Sequence, residues 1–370
     1  MRSIVYFIGS LPKKEKTPVG GGEVGNLRTV EMLESFGYKV KLIRKRRSAA
    51  SESKIKRIIL YPLRFLWNLC QCLFVLLFGD RKHGIVHVSG FYGVTIAIET
   101  AQVFMAKLFG YRLIYEMRGG GASTYYENGK RSYRKQFHYI LNKADYIFSQ
   151  GQENEPLIQS LCKTPIFYYP NSVKPSFYLE KLPEKPINVV NILFFGRIEP
   201  EKNPLMIVEI AALLQKEFDN IRLTIIGNGQ KDLHEKVKVA MIEKLKKGTY
   251  ELLPGCNHDE LQQLLVDKHF YVFPSVQPRE GQSNAVTEAM SLGIIPIASP
   301  QGFSRSTIGD DRLIVQDLNA EAYAERISKI ISDDEIEKYS TFVRQRFLDN
   351  FTEEIVFARS KNEYDLIFKG

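Results

Sequence analysis

The sequence is poor in cysteine and contains a single tryptophan. Its four cysteines are scattered along 370 residues, and no pair has the spacing of a zinc site: Cys70, Cys72, Cys162 and Cys256. A chain of this length can bury a core without disulfide bonds, so we expect reduced, mostly buried thiols. This usage excludes a small disulfide-stapled secreted domain and predicts a cytoplasmic protein.

The sequence also lacks a long uninterrupted apolar run. The uncharged run Phe65–Gly79 has 15 residues and contains Asn68 and Gln71, whereas a membrane-spanning helix takes ~20 apolar residues. The N-terminal stretch Ile4–Ile8 is shorter than the core of a secretory leader, and no small-residue cleavage site follows it. We therefore predict a first buried strand at the N-terminus and no spanning helix in Phe65–Gly79.

Acidic residues are scarce in the first half of the chain. Residues 1–180 hold 27 Lys and Arg against 13 Asp and Glu, a net charge of +14, while the remainder carries −5 of the total of +9. This asymmetry predicts that the first half faces an anionic partner, and nucleic acid and anionic membrane both qualify. The basic residues are spread out rather than interleaved with a stacking platform, which argues against nucleic acid.

One apolar segment lies next to this charge. Arg44–Arg47 and Lys54–Arg57 precede Phe65–Phe78, which contains Trp67. A basic stretch beside an apolar helix with a tryptophan is typical of a segment lying in a bilayer interface. A buried crossover helix before the strand Ile85–Val88 is the alternative. We expect peripheral contact with an anionic membrane surface.

Short apolar runs alternate with helical patterns, which predicts parallel sheets with right-handed crossovers. The runs are continuous, so both faces of each strand are expected to be covered. Six strands are predicted in each half: Ile4–Ile8, Val40–Ile43, Ile85–Val88, Leu113–Tyr115, Tyr146–Phe148, Ile166–Tyr168, Ile192–Phe195, Leu223–Ile226, Tyr250–Leu253, Phe270–Phe273, Ile294–Ala298 and Leu313–Val315. We predict an α/β protein of two doubly wound domains, with the ligand between them at the carboxyl ends of the strands.

A proline-containing segment separates the two sets of strands. Asn171–Pro186 has three prolines and several charges, so we predict a linker there. The predicted domains are residues 1–180, which are basic, and residues 187–350. Both are Rossmann-like. Residues 351–370 are predicted to be a C-terminal helix.

The most informative segment is residues 273–293, where an apolar strand ends in a polar loop and a helix follows. Ser283 or Asn284 can cap that helix and leave free amides at its N-terminus, and such amides bind phosphate. Glu288 then lies about one turn inside the helix, within reach of a ribose. Glu280, at the loop entry, is placed to accept hydrogen bonds from sugar hydroxyls. An ordinary exposed helix glutamate is the alternative for Glu288.

A second strand end carries two cations. The strand ends at Gly196, which lets a ligand approach the backbone, and Asn203-Pro204 suits a helix start. Arg197 and Lys202 flank the loop between them and can clamp a diphosphate, Arg by its planar fork and Lys as a point charge. Solvated loop charges are the alternative. Two cations in a loop are weak evidence for a diphosphate site by themselves. They indicate such a site only in combination with the segment at residues 273–293.

Two further strand ends carry turn residues. Gly227 and Gly229 lack the third glycine and the spacing of a dinucleotide fingerprint, so a structural turn is the favoured interpretation. After the next strand, Asn257 or Asp259 is fit to start a helix.

Together these residues resemble the group-1, or family-four, retaining glycosyltransferases of GT-B architecture, which have two facing Rossmann-like domains and an interdomain cleft. The resemblance covers most of the chain and is strongest over residues 191–300. It implies that Arg197 and Lys202 hold the donor diphosphate and act in catalysis with Glu280, which meets the donor sugar. It implies that Glu288 holds the ribose. Donor contacts are also implied for the loop residues Gly281, Gln282, Ser283 and Asn284.

The first domain has matching features. A glycine loop at residues 19–26 follows the first strand and opens a helix, and exposed amides there suit an anion. The resemblance implies that Gly21 and Gly22 bind the donor and that Glu23 lies on the acceptor side. Simple turn glycines are the alternative.

The sequence departs from the pattern of this family at one position. Many relatives carry a histidine after the strand Leu113–Tyr115, whereas this chain has Arg118, which becomes an acceptor-side candidate. We therefore assign no catalytic histidine. His87, read as the end of a strand, is expected to be structural. The resemblance also implies that the C-terminal helix packs back on the first domain.

The function implied is transfer of a hexose, with retention, from a UDP- or GDP-sugar to a glycan or lipid-linked acceptor in bacterial cell-surface polysaccharide synthesis. The resemblance implies a reaction without a metal, with which the lack of an Asp-x-Asp motif near the donor loop is consistent, and without a cofactor, because the nucleotide-sugar is a substrate. The predicted location is the cytoplasm, peripheral on the inner face of the membrane, with no nucleic-acid partner. The alternatives are a sugar-nucleotide epimerase or phosphorylase on the same fold, or a basic nucleic-acid binder.

Overall fold

The computed structural model describes residues 3–12, 21–45, 53–93, 95–277 and 279–369. Val19 and Gly20 of the predicted glycine loop, and Arg46 and Arg47 of the basic stretch, lie outside the described residues. The chain forms two compact units, Met1–Pro170 with Phe357–Gly370, and Asn171–Val356.

Eleven strands lie in the described residues, and all their pairings are parallel. The first unit has β1 (Ile4–Gly9), β2 (Lys39–Arg44), β3 (Gly84–Gly90), β4 (Arg112–Met117), β5 (Tyr146–Ser149) and β6 (Ile166–Tyr168). The second has β7 (Val190–Phe195), β8 (Ile221–Ile226), β9 (Tyr250–Leu253), β10 (Phe270–Phe273) and β11 (Ile295–Ala298). The predicted strand Leu313–Val315 is wrong: only an isolated bridge, Ala298 with Ile314, forms there.

Fourteen α-helices are described alongside these strands. They are α1 (Gly21–Ser35), α2 (Lys54–Leu77), α3 (Ile96–Leu108), α4 (Ala122–Glu127), α5 (Arg131–Lys143), α6 (Glu155–Leu161), α7 (Pro204–Glu217), α8 (Lys231–Lys244), α9 (His258–Leu265), α10 (Asn284–Ser291), α11 (Ser304–Ile308), α12 (Ala320–Ser332), α13 (Ile336–Asn350) and α14 (Glu353–Lys369).

The sheet of the first unit has the order β2-β1-β3-β4-β5-β6 and is covered on both faces. Cys72 of α2, Val103 of α3 and Phe137 of α5 join one core cluster. Leu33 of α1 and Tyr364 of α14 join another. The chain reverses direction between β1 and β3, which makes their carboxyl ends the topological switch point.

The second unit has a sheet of order β11-β10-β7-β8-β9. Strands β7, β8 and β9 follow one another in one direction, and the chain then returns to place β10 on the other side of β7. With right-handed crossovers, this reversal puts helices on both faces. The switch point of this sheet therefore lies at the carboxyl ends of β7 and β10.

The segment predicted as a linker, Asn171–Pro186, belongs to the second unit and packs against it. The Asn171 amide donates to Gln282 Oε1 at 2.5 Å, and Lys185 Nζ donates to the Gly293 carbonyl at 2.7 Å. Charged and proline-containing sequence therefore forms part of a packed unit here, because its polar groups find partners in the loop before α10 and in the turn after it.

Helix α2 is longer than its uncharged run, because it begins within the basic stretch at Lys54. On length and composition alone, its part Ile59–Leu77, 19 residues, is one helix that could cross a membrane. The prediction that this segment is too short to span a bilayer is therefore wrong on length, because Arg64 is the one charged residue in Ile59–Leu77. Only 17% of that stretch is buried.

Glu363 of α14 gives a prediction on stability. Its Oε2 atom is buried without a hydrogen-bond partner, and burial raises the pKa of its carboxyl to about 7, Arg359 opposing. Because the folded pKa exceeds the ordinary 4.5, ionised Glu363 lowers stability above pH 7, and this penalty disappears as the pH falls to 4.5. We expect Glu363→Gln to raise the free energy of unfolding by roughly 1–3 kcal/mol at pH 8 and hardly at all at pH 4.5. Urea titrations at both pH values measure this. Exposed Glu354→Gln on the same helix is the control, and an equal gain at both pH values would contradict the argument.

Candidate functional site

The candidate site of the second unit lies at its switch point, in the loops that follow β7 and β10. The Val276 amide donates to the Glu201 carbonyl at 2.8 Å, and the Ser275 hydroxyl oxygen lies 3.3 Å from the same carbonyl. Asn203 Nδ2 donates to the Pro274 carbonyl at 2.9 Å. Two loops more than seventy residues apart in sequence are thus joined into one surface.

The loop after β7 begins with backbone that favours glycine. Gly196 has φ +137°, and a side chain at Gly227 would overlap the Gly196 carbonyl, so the two turns pack backbone against backbone. The Ile198 amide donates to Asn228 O at 2.9 Å. Gly227–Gly229 is therefore the structural turn that was predicted. Close packing here fixes the path of the loop toward Lys202.

Lys202 and Glu280 meet at the centre of this surface. Lys202 Nζ forms an ion pair with Glu280 Oε2, and the Ser275 hydroxyl donates to the same oxygen at 3.1 Å. The two charged side chains are only 14% and 15% exposed. Lys202 also lies 4.7 Å from the centre of the Phe273 ring, which holds the cation from one side. Glu280 is thereby fixed in orientation.

Arg197 has a different environment. Its side chain is 68% exposed, and its guanidinium pairs with Glu199 at 2.6 Å. Glu199 is two residues away on the same loop. Arg197 therefore lies on the rim of the site, where a bound anion would have to compete with Glu199 for it.

The N-terminus of α10 lies next to Glu280 in the chain. Ser283 occupies the N-cap position but makes no side-chain hydrogen bond to the helix. Gln282 is buried and its carboxamide pairs with the backbone of Asn171, while Asn284 Oδ1 accepts from Asn171 Nδ2 at 3.0 Å. Gln282 and Asn284 therefore tie the start of the second unit to α10. Gly281 is half-buried between these groups and Glu280.

Glu288 lies on the second turn of α10 and is nearly buried. Its side chain is 8% exposed, and its Oε1 is 3.8 Å from Nε2 of His258, the first residue of α9. Asn257 caps α9, as was predicted, by accepting from the amides of Asp259 and Glu260. Glu288 is thus not the exposed helix glutamate of the alternative interpretation.

The charges of Glu280 and Glu288 both affect the pKa of the buried Tyr271 hydroxyl. Burial, first, and then the charges of Glu280 and Glu288 raise the pKa of Tyr271 well above its ordinary value. Both carboxylates therefore lie within electrostatic reach of a single side chain on β10. Lys202 and Glu280 meet beyond the carboxyl ends of β7 and β10, Glu288 lies on the helix that follows, and Arg197 is turned to Glu199 at the rim.

Sequence reasoning missed four residues of this site. Ser275 and Gly302 hold Glu280, the latter because a Cβ there would lie 2.5 Å from the Glu280 carbonyl. Tyr271 and His258 face the carboxylates. Ser275 is the second residue after the strand β10 and His258 directly follows a cap, so their positions at strand and helix ends were a usable signal. Among the described residues, no three His, Cys, Asp or Glu side chains gather as a metal ion would require.

In the first unit, the loops after β1 and β3 also meet. Gly21 and Gly22 open α1, and a Cβ at Gly22 would lie 2.8 Å from the Phe91 ring. The Ser10 hydroxyl donates to Glu23 Oε1 at 3.4 Å. The predicted helix start is confirmed, since α1 begins at Gly21, and a side chain at Gly22 would force the Phe91 ring to shift.

Arg118 is buried rather than open to an acceptor. Its Nη2 donates to Thr29 Oγ1 at 2.6 Å and pairs with Glu116 at 2.7 Å, while a side chain at Gly25 would overlap the guanidinium. The side chain is 5% exposed. Arg118 therefore anchors α1 to the end of β4.

His87 lies in the middle of β3, not at its end as predicted. It is fully buried, with Nε2 at 3.0 Å from Glu116 Oε2 and Nδ1 within hydrogen-bond distance of the Tyr364 hydroxyl of α14. Burial raises the pKa of Glu116, but Arg118 and His87 outweigh it and hold that pKa below its ordinary value. The structural role expected for His87 fits this network.

Two doubly wound α/β units, with cations and carboxylates at the switch point of one of them, form a site of the kind that binds anionic, nucleotide-containing ligands. Residues 181–345 match the model of the family "Glycosyl transferases group 1". This match to the group-1 glycosyltransferases covers most of the second unit, and the chain has the GT-B fold, as the sequence resemblance predicted.

Individual relatives are distant. The chain is 21% identical over 192 residues to one subunit of the phosphatidylinositol N-acetylglucosaminyltransferase of Arabidopsis thaliana, a match that spans 52% of this chain and 42% of that protein. The structure is similar to sucrose-phosphate synthase of Thermosynechococcus elongatus, with a TM-score of 0.74, 16% identity and complete coverage of both chains. It is also similar to HepE of Anabaena in complex with UDP, with a TM-score of 0.71, 12% identity and coverage of 99% and 100%.

Proposed function

We propose that this protein transfers a sugar, with retention and without a metal ion, from a nucleotide-diphosphate donor to a glycan or lipid-linked acceptor. The observation that carries the proposal is the Lys202–Glu280 pair at the switch point, next to a helix N-terminus that no side chain caps. Such a terminus favours phosphate, and an oriented carboxylate favours sugar hydroxyls.

Each side chain has a distinct task in this proposal. Lys202 and the first amides of α10 stabilise the charge that develops on the departing diphosphate, with Arg197 recruited from the rim. Glu280, oriented by Ser275, accepts from hydroxyls of the donor sugar. Glu288 accepts from the ribose. The acceptor hydroxyl attacks from the face that the diphosphate leaves, and the leaving phosphate takes its proton.

The donor and the pathway are the finer parts of the proposal. A UDP-sugar is favoured over a GDP-sugar, since HepE is similar in fold and was solved with UDP. A lipid-linked acceptor is favoured by the similarity to part of a phosphatidylinositol N-acetylglucosaminyltransferase. We propose that the reaction takes place on the cytoplasmic face of a membrane and belongs to bacterial cell-surface polysaccharide synthesis.

A thermal-shift panel of UDP- and GDP-sugars tests donor binding. A ligand at a hundred times its Kd stabilises the native state by about 2.7 kcal/mol, so one donor should raise the melting temperature by several degrees. Mannitol at equal concentration is the control for non-specific stabilisation. No rise with any nucleotide or nucleotide-sugar would contradict the proposal.

Product analysis with the best donor separates the proposed reaction from its alternatives. A transferase releases nucleoside diphosphate only in proportion to glycoside formed on an added acceptor. An epimerase would convert the donor without releasing nucleotide, and a phosphorylase would cleave a glycosidic bond of the added glycan with inorganic phosphate, giving a sugar phosphate and a shortened glycan. Either of these products in place of the glycoside would replace the proposed function.

A further inference from the structure

The outward face of α2 is apolar along its length. Exposed large side chains recur at the spacing of one helical stripe, each between 44% and 67% exposed: Ile59, Leu63, Leu66, Trp67, Leu73, Phe74 and Leu77. No charged residue occurs between Arg64 and Asp80. A surface helix in water normally presents polar residues on this side, so the pattern is inverted.

The neighbouring helix α3 repeats the inversion. Its outward stripe, at i, i+4, i+7 and i+11, consists of Ala97, Ala101, Phe104 and Leu108. Phe104 and Leu108 are 52% and 63% exposed. Helices α2 and α3 pack against each other and share one core cluster, so their outward faces lie side by side. We call these two stripes the apolar face.

The opposite side of α2 is fixed to the fold. Cys72 and Leu76 are buried in the core, and the Tyr111 hydroxyl donates to the Leu76 carbonyl at 2.9 Å. Asn68 is also buried on this side. The helix therefore cannot cross a bilayer without leaving the sheet and exposing this core. Only an orientation parallel to a surface satisfies both of its sides.

The sequence on either side of the uncharged part of α2 is rich in positive charge. Residues 39–82 hold twelve Lys and Arg against two Asp and Glu. Lys45 is buried against Glu99, whereas Lys56, Arg81 and Lys82 are exposed. A second copy of this chain would bring a segment of the same charge against this one, so self-association through this face is opposed by like charges. An anionic lipid surface instead offers an apolar interior beneath negative headgroups, which matches both features.

We propose that the apolar face of α2 and α3 is seated in the interfacial layer of an anionic bilayer, with both helices parallel to its plane. In this part the inference rests on the proposed function: the acceptor is then a lipid-borne molecule presented by the same bilayer. The topology supports this, because α2 starts beyond the carboxyl end of β2, at the sheet edge where Ser10 and Glu23 lie.

Trp67 makes the proposal directly measurable, because it is the only tryptophan of the chain and lies in the apolar face. The full-length protein is mixed with vesicles of phosphatidylcholine, with or without phosphatidylglycerol as about a third of the lipid. We expect a blue shift of the emission and quenching by brominated acyl chains with the anionic vesicles. Co-sedimentation should weaken at least tenfold between about 0.1 and 0.5 M salt.

Matched variants identify the face. Leu66→Glu with Phe74→Glu should weaken co-sedimentation at least tenfold. Val239→Glu with Ile242→Glu on α8, where the side chains are 49% and 58% exposed, should leave it unchanged. Circular dichroism and the nucleotide thermal shift verify that each variant is folded. Equal binding by both double variants would overturn the assignment of the face.

Three other outcomes would also overturn the proposal. These are no binding to anionic vesicles, extraction-resistant insertion at alkaline pH as for a spanning helix, and a dimer in sedimentation velocity that the Leu66 and Phe74 changes abolish. Vesicle binding does not require a nucleotide-sugar, and the nucleotide thermal shift does not require vesicles. Failure of membrane docking and failure of the proposed function are therefore read in separate experiments. Transfer to a lipid-borne acceptor should fall in the α2 variant in step with vesicle binding, while donor binding stays the same.

Discussion

A Lys202→Ala variant is expected to lose about a thousandfold in kcat/KM for sugar transfer, which corresponds to about 4 kcal/mol of transition-state stabilisation. Lys202 lies in a nearly enclosed position, 14% exposed, where a positive charge acts more strongly on a departing diphosphate than it would in water. The same change leaves Glu280 without its cation, so the loss combines the charge and the orientation of the carboxylate.

Steady-state rates with the donor that gives the largest thermal shift measure this effect. Lys244→Ala is the matched control, because Lys244 pairs with Glu209 at 2.8 Å on the exposed surface of the same unit. We expect that variant to stay within twofold of the unchanged protein. A folded Lys202→Ala protein with a rate within threefold would remove Lys202 from the mechanism.

A double-mutant cycle separates positioning from charge stabilisation. If Lys202 only orients Glu280, then Lys202→Ala adds little to the loss already caused by Glu280→Gln. If Lys202 also meets the diphosphate, the double variant loses clearly more than Glu280→Gln alone. The proposed mechanism requires the second result, and melting temperatures of all four proteins exclude a loss through unfolding.

The sequence allowed this part of the site to be predicted because strand ends in a parallel sheet share an edge. Gly196 and Phe273 end two apolar runs, so the residues after them had to approach each other if β7 and β10 were neighbours. The pairing of Lys202 with Glu280 follows from that topology. Glycines and caps also have local causes, and the start of α1 and the Asn257 cap were therefore predictable.

The contacts that depend on distant packing were not predictable. The neighbouring sequence does not indicate that the Gln282 carboxamide hydrogen-bonds to the Asn171 backbone. It also does not indicate that Arg118 points inward to Thr29 and Glu116. The type of a polar residue does not indicate whether its side chain lies in a loop or is buried. Only the fold determines whether a hydrogen-bond partner is close to it. The false strand at Leu313–Val315 has the same origin, because three apolar residues fit a buried turn as well as a strand.

The exposed apolar side of α2 was only partly predictable from the sequence. The apolar run and the basic stretch are visible in the sequence, but they fit a buried crossover helix as well as a surface one. The choice depends on which side of the helix the sheet covers. Cys72 and Leu76 face the core, so the larger apolar side chains, such as Phe74, are left outside.

A Glu288→Gln variant is expected to bind UDP about ten- to a hundredfold more weakly, measured by isothermal titration calorimetry. A nearly buried carboxylate that accepts from ribose hydroxyls contributes a charge-assisted hydrogen bond, worth roughly 1.5–3 kcal/mol. The amide retains the shape of the side chain but lacks the charge. Glu243→Gln on the exposed side of α8 is the control and should bind UDP as the unchanged protein does.

The ligand can be changed as well as the protein, and this decides whether Glu288 meets the ribose. The unchanged protein should bind a deoxyribose analogue of UDP, lacking the hydroxyl that Glu288 accepts from, about tenfold or more weakly than UDP itself. Glu288→Gln should discriminate little between the two ligands, because the interaction is already lost. If both proteins lost the same factor on removal of either ribose hydroxyl, Glu288 would act through α10 or His258 instead, since a side chain in contact with the ribose must couple to its hydroxyls.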